Sequence, residues 1–141
     1  MKAKLCTTIG IAGSLISSLF GGWDAALVTL LIFMGVDYLS GLMVAGVFHK
    51  SKKSGTGRLE SHAGWKGLCR KGMTLTFVLV AHRLDLAIGV SYIWDAVIIG
   101  FMANELISII ENAGLMGVRI PVVIEKAIDV LTKKSGEEEG E

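Results

Sequence analysis

Proline occurs once in this chain of 141 residues, at Pro121, cysteine twice and histidine three times. Those scarcities remove several kinds of chemistry. Cys6 and Cys69 are too few and too far apart for a disulfide framework or a Cys-His zinc site, and both read as passive residues. His49, His62 and His82 are scattered along the chain, which makes metal ligation improbable. There is no HExxH, no G-x-S-x-G and no Walker A lysine, and Gly55 and Gly57 precede neither a strand nor a helix start of the phosphate-binding kind. No catalytic residue, metal or cofactor is expected, and the chain is not read as an enzyme.

What is abundant is apolar surface. Hydrophobic residues make up 52% of the chain, and with a mean hydropathy of +0.60 it reads as an all-α membrane protein rather than a small soluble enzyme. The clearest stretch runs from Ala25 to Phe48, with Asp37 as its one charge. A hydrocarbon core about 30 Å thick needs roughly 20 helical residues, and an ionisable group at its middle is expected to face a partner helix or water.

Three further apolar stretches are predicted as spans, at 5–22, 72–88 and 92–112, beside the one at 25–48. Four spans are favoured over three; the alternative lays the first stretch on the membrane surface. Within it Gly10, Ser14, Ser18 and Gly22 recur at every fourth position, a small-residue ridge that lets another helix backbone approach closely in lipid. The N-terminus also has the basic start and apolar run of a signal peptide, without a convincing cleavage site, and is read as retained. Between the second and third spans, residues 49–71 hold Lys50, Lys52, Lys53, Arg58, Lys66, Arg70 and Lys71 against the single acid Glu60, and this stretch is read as a flexible basic loop. Residues 121–134 are predicted as an amphipathic helix opening at Pro121, and 135–141 as an acidic, disordered tail, the whole of 1–134 being one membrane domain.

With four spans the basic loop and both termini fall on one side, which the positive-inside rule makes cytoplasmic, and Asp24, Asp85 and Asp95 fall on the other. The basic loop is accounted for by topology and attraction to anionic lipid rather than by nucleic acid. In the fourth span Ala96, Gly100, Asn104, Ser108 and Asn112 form an i, i+4 row flanked by Glu105 and Glu111, either a hydrogen-bonded seam between helices or the lining of a pore. Asp37 and Arg83 are expected at equal depth, each roughly 17 Å from the cytoplasmic side at 1.5 Å per residue, and are either an ion pair or, for Arg83, a contact with outer headgroups.

The order of motifs resembles the toxin secretion and phage lysis holins: Gly22-Trp23-Asp24, the D-Y-x-[ST]-G pattern at Asp37, Tyr38, Ser40 and Gly41, Lys66 to Lys71 before the third span, and Asn104-Glu105 with Ser108, Glu111, Asn112 and Pro121. The resemblance implies a homo-oligomer in the bacterial inner membrane whose lesions release an endolysin, or in some relatives a toxin, sometimes restrained by an antiholin. Members are often described with three spans, and some carry closely spaced alternative starts, whereas the next Met after Met1 here is Met34. A small oligomeric channel subunit and an antiholin-type partner are the competing readings.

Overall fold

In the computed structural model, which describes residues 1–139, the chain forms five helices and no strand. They are α1 (Lys2–Leu19), α2 (Ala25–Gly46), α3 (Ser61–Ile88), α4 (Tyr92–Leu115) and α5 (Val122–Glu139).

α1 stops where the backbone turns left-handed. Gly21 and Gly22 have φ of 77° and 110°, and Gly22 N donates to Ser17 O at 2.8 Å, satisfying a terminal carbonyl. Gly22, read from sequence as part of the helical ridge, therefore lies in the link instead. Gly21 is glycine for a second reason: a Cβ there would lie 2.5 Å from the His82 ring. α1 buries none of its residues, and no atom approaches the Cβ positions of Gly10 or Gly13 within 4 Å.

α2 starts at Asp24, whose carboxylate accepts from Leu27 N at 2.7 Å as an N-cap. At 22 residues it is about 33 Å long. It ends two residues before the expected boundary, with Val47 and Phe48 both donating to Met43 O. α2 and α4 are the two helices, among the described residues, that are long and apolar enough to cross a membrane.

The loop after α2 is shorter than expected and internally bonded. Ser51 N donates to Gly57 O at 3.0 Å, Ser54 Oγ to Arg58 O at 2.7 Å, and Thr56 Oγ1 to Glu60 Oε1 at 2.8 Å. α3 already begins at Ser61, so Lys66, Arg70 and Lys71 stand on a helix rather than in a loop. Composition hid this because the segment has no apolar run; the register does reveal it. Gly64, Lys71, Val78 and Asp85 recur every seven residues with Gly67, Thr74 and Ala81 between them, one unbroken inward stripe.

Asp85 closes the α3–α4 turn. Gly89 sits at φ 80° as the left-handed cap of α3, and the buried Asp85 carboxylate accepts from Ile93 N at 3.1 Å and Trp94 N at 2.9 Å. It thus caps α4 from the preceding helix, while Ser91 makes no side-chain cap. α4 runs three residues past the expected end.

α2, α3 and α4 form the bundle. Leu27, Leu30, Met34, Val78 and Ile98 make its buried apolar core, with Phe20, Trp94 and Phe101 packed against it. α5 returns along α4, with Ser135 Oγ 3.4 Å from the Cβ position of Gly100. Pro121 precedes its first helical residue, and the helix continues through Glu139 where a disordered tail was expected from Ser135. Gly140 and Glu141 lie outside the described residues.

Candidate functional site

One turn beyond the apolar core, toward the 47–60 loop, the bundle interior becomes polar. Asp37 on α2, Lys71 on α3 and Glu105 on α4 meet there, each from a different helix. The Lys71 ammonium donates to Asp37 Oδ2 and to Glu105 Oε2, both at 2.7 Å, and the three side chains are 7 to 15% exposed. One cation is shared by two carboxylates. The remaining Asp37 acceptors are also used: Ser108 Oγ donates to Oδ1 at 2.6 Å, and Asn112 Nδ2 reaches Oδ1 at 3.2 Å and the Asp37 carbonyl at 3.2 Å. Asn112 further donates to Ser40 Oγ at 2.8 Å, and Ser40 Oγ donates to Asp37 O at 3.0 Å.

Helical spacing builds this cluster. Glu105, Ser108 and Asn112 fall at i, i+3 and i+7 on one face of α4, opposite Asp37, Ser40 and Gly41 on α2. Gly41 adjoins the amide: a Cβ there would lie in ordinary contact with Asn112 Nδ2, at 3.7 Å. A buried charge is tolerated only when paired and fully hydrogen-bonded, and each lone pair satisfied here offsets part of that cost.

Four expectations about these residues change. Asp37 does not pair with Arg83, which is exposed; its partner is Lys71. Equal depth for Asp37 and Arg83 requires the third helix to begin near Lys71, whereas α3 starts ten residues earlier at Ser61. Asn104 is exposed and outside the cluster, because an i, i+4 row drifts by about 40° per step and the two ends of the row face different neighbours. Gly100 accordingly faces α5, and Asn112 faces α2. Glu111 is exposed, at the edge of the cavity described next. Tyr38 points away from Asp37, lying on Gly64 and Gly67 of α3 with its hydroxyl 3.4 Å from Gly64 O.

The cluster forms the floor of a cavity of about 410 Å³ between α2, α3, α4 and the loop. Lys53 folds over it, with Nζ 3.5 Å from Ser108 Oγ. Arg58, Lys66 and Arg70 stand around the opening, whereas Lys50 and Lys52 are exposed on the loop and do not line it. Gly10, Ser14 and Ser18 remain on α1, away from this site. Among the described residues no group of three or more His, Cys, Asp or Glu is placed to hold a metal ion. The arrangement ties three helices together with charge.

A family model described as the bacteriophage holin family matches residues 14–133. The chain belongs to the bacteriophage holin family. A probable holin of Bacillus phage phi105 is 29% identical over 103 residues, covering 72% of this chain and 70% of its own. An uncharacterised protein of Listeria monocytogenes is 39% identical over 128 residues, or 90% of this chain and 86% of its own. A 14.9 kDa Clostridium perfringens protein, encoded in the nagH 3' region, is 37% identical over 124 residues, or 86% and 88%. No solved structure matches. Holins are non-enzymatic membrane proteins, so this chain is not an enzyme, and the two apolar helices agree with a membrane location. Asp37 and Glu105 are legible in the sequence as acids within apolar stretches, whereas Lys71 reads as one more cation of the basic segment; its place on the seven-residue stripe of α3 is the signal that sets it apart.

Proposed function

We propose that this holin accumulates in the bacterial cytoplasmic membrane and self-assembles into lesions that release an endolysin, and that the Asp37–Lys71–Glu105 cluster governs when the helices change partners. The observation carrying the proposal is the cluster itself, a shared ion pair joining three helices midway along the two apolar ones. In lipid such groups cannot separate without finding equivalent polar partners, and another subunit supplies the same ones. The monomer is the closed state; exchange of its polar bonds between subunits opens a wetted path. α1, with no buried residue and a small-residue ridge, is available to pack against neighbours.

In this reading α1, α2, α3 and α4 span, and the basic loop and both termini face the cytoplasm. Inducible expression in a bacterium tests the function. The expected result is near-normal growth, then abrupt collapse of membrane potential, with lysis only when a muralytic enzyme is co-expressed. A gradual ion leak from the start of induction supports a fixed channel instead, and no effect on potential supports an antiholin-type partner.

A further inference from the structure

The cavity above the ion-pair cluster has a rim unlike its floor. Lys53, Arg58, Lys66 and Arg70 line it, while the two ion pairs found among the described residues both belong to Lys71. Two further carboxylates, Glu60 and Glu111, also line it, but Glu60 is turned toward Thr56, accepting from its N and Oγ1 at 3.2 and 2.8 Å. Four cations thus stand around one opening without a carboxylate partner. They come from two elements, the loop and the first turns of α3, so no single helix accounts for them.

The second observation is what adjoins this opening. On the loop side of the Asp37–Lys71 bond, α2 meets α3 where Tyr38 rests on Gly64 and Gly67. Beside that contact runs a trough lined by Leu42, Leu59, Trp65 and Leu68 together with Glu60 and Ser61, sharing Tyr38, Leu42, Leu59, Glu60 and Gly64 with the basic cavity. Trp65 and Leu59 are 65 and 57% exposed, large apolar surfaces of the kind that collect where a span meets the headgroups. A cationic opening beside an apolar trough has the charge and polarity sequence of a phospholipid, anion first and hydrocarbon after.

We propose that this is a binding site for one anionic glycerophospholipid, its phosphate held by Lys53, Arg58, Lys66 and Arg70 and an acyl chain lying between α2 and α3. Bound there, the lipid bridges the loop to α3 directly above the cluster, so occupancy ties the loop over the Asp37–Lys71–Glu105 bonds. The proposal rests on the spanning reading of the bundle, and the test separates the two.

The full-length protein is reconstituted in phosphatidylcholine nanodiscs holding a small fraction of brominated lipid, either phosphatidylglycerol or phosphatidylcholine. Quenching of Trp65 is taken as the difference between the native chain and Trp65→Phe. The expected result is several-fold stronger quenching by the phosphatidylglycerol. Lys66→Gln/Arg70→Gln should abolish that preference, bringing quenching by the two lipids level, and Arg58→Gln should lower it in part. Lys133→Gln/Lys134→Gln, which removes as much charge elsewhere, should leave it unchanged. Equal quenching by the two lipids overturns the site while leaving the spanning reading intact, and quenching by neither overturns both. An equal loss in the α5 variant reduces the effect to bulk attraction and overturns the site. Displacement of the brominated phosphatidylglycerol by millimolar inorganic phosphate makes it a free-phosphate site and overturns the lipid assignment.

Discussion

Toward the Gly89 turn, α2, α3 and α4 meet through Leu27, Leu30, Val78 and Ile98; toward the 47–60 loop the same helices meet through Asp37, Lys71, Glu105 and Asn112. In water the first half would dominate, since burying apolar area is the main favourable term. In lipid it has no such advantage, because acyl chains are as apolar as leucine and only closer packing is gained. The second half has no substitute in lipid at all. The apolar half therefore packs against any apolar partner, while the polar half dictates which helices belong together.

The largest test of that contrast is Lys71→Met, which leaves Asp37 and Glu105 buried without a cation. A loss of about 3–5 kcal/mol is expected, read as the unfolding midpoint in detergent, with recovery in the triple variant that adds Asp37→Asn and Glu105→Gln. Leu30→Ala in the apolar half should cost about 2 kcal/mol, since in lipid the cavity remains but the transfer loss does not; a cost matching Lys71→Met would break the comparison. Gly21→Val sharpens it at the far end, where a side chain meets His82 and the left-handed backbone resists it, at about 1–3 kcal/mol in the same unfolding midpoint. Asp85→Ala removes the cap on α4 and should cost about 1–2 kcal/mol, with Asp85→Asn retaining part of it. Smallest is Asn104→Leu, expected to shift stability by less than about 0.5 kcal/mol because its side chain is exposed. Asn112→Leu beside it should approach the effect of Lys71→Met, and equal effects of the two asparagines would return the i, i+4 row to a single face.

Topology yields to a separate measurement. Single cysteines at Gly22, Ser54, Ser91 and Ser135 in a Cys-free background should label with a membrane-impermeant thiol reagent from the outside at positions 22 and 91, and from the cytoplasm at 54 and 135. Protection at 135 before lesions form would keep α5 against α4, as the Gly100–Ser135 approach has it.

The sequence by itself determined the helices, because apolar run length and capping are local. Asp24 starts α2 and accepts from Leu27 N, Gly89 ends α3 in the left-handed region, and Asp37 declares a polar site wherever its helix goes. Composition misled where helix persists through polar chain, at 61–71 and at 135–139; at 61–71 the hydropathy says loop while the seven-residue register says helix. Tertiary structure alone decided the partners. Which cation meets Asp37 depends on how far α3 slides along α2, and that offset is set by Tyr38 seating on Gly64 and Gly67, a contact 26 residues apart at its hydrogen bond. That seating brings Lys71, rather than Arg83, level with Asp37 and Glu105, and no local pattern encodes it because the fit between two surfaces belongs to neither sequence segment alone.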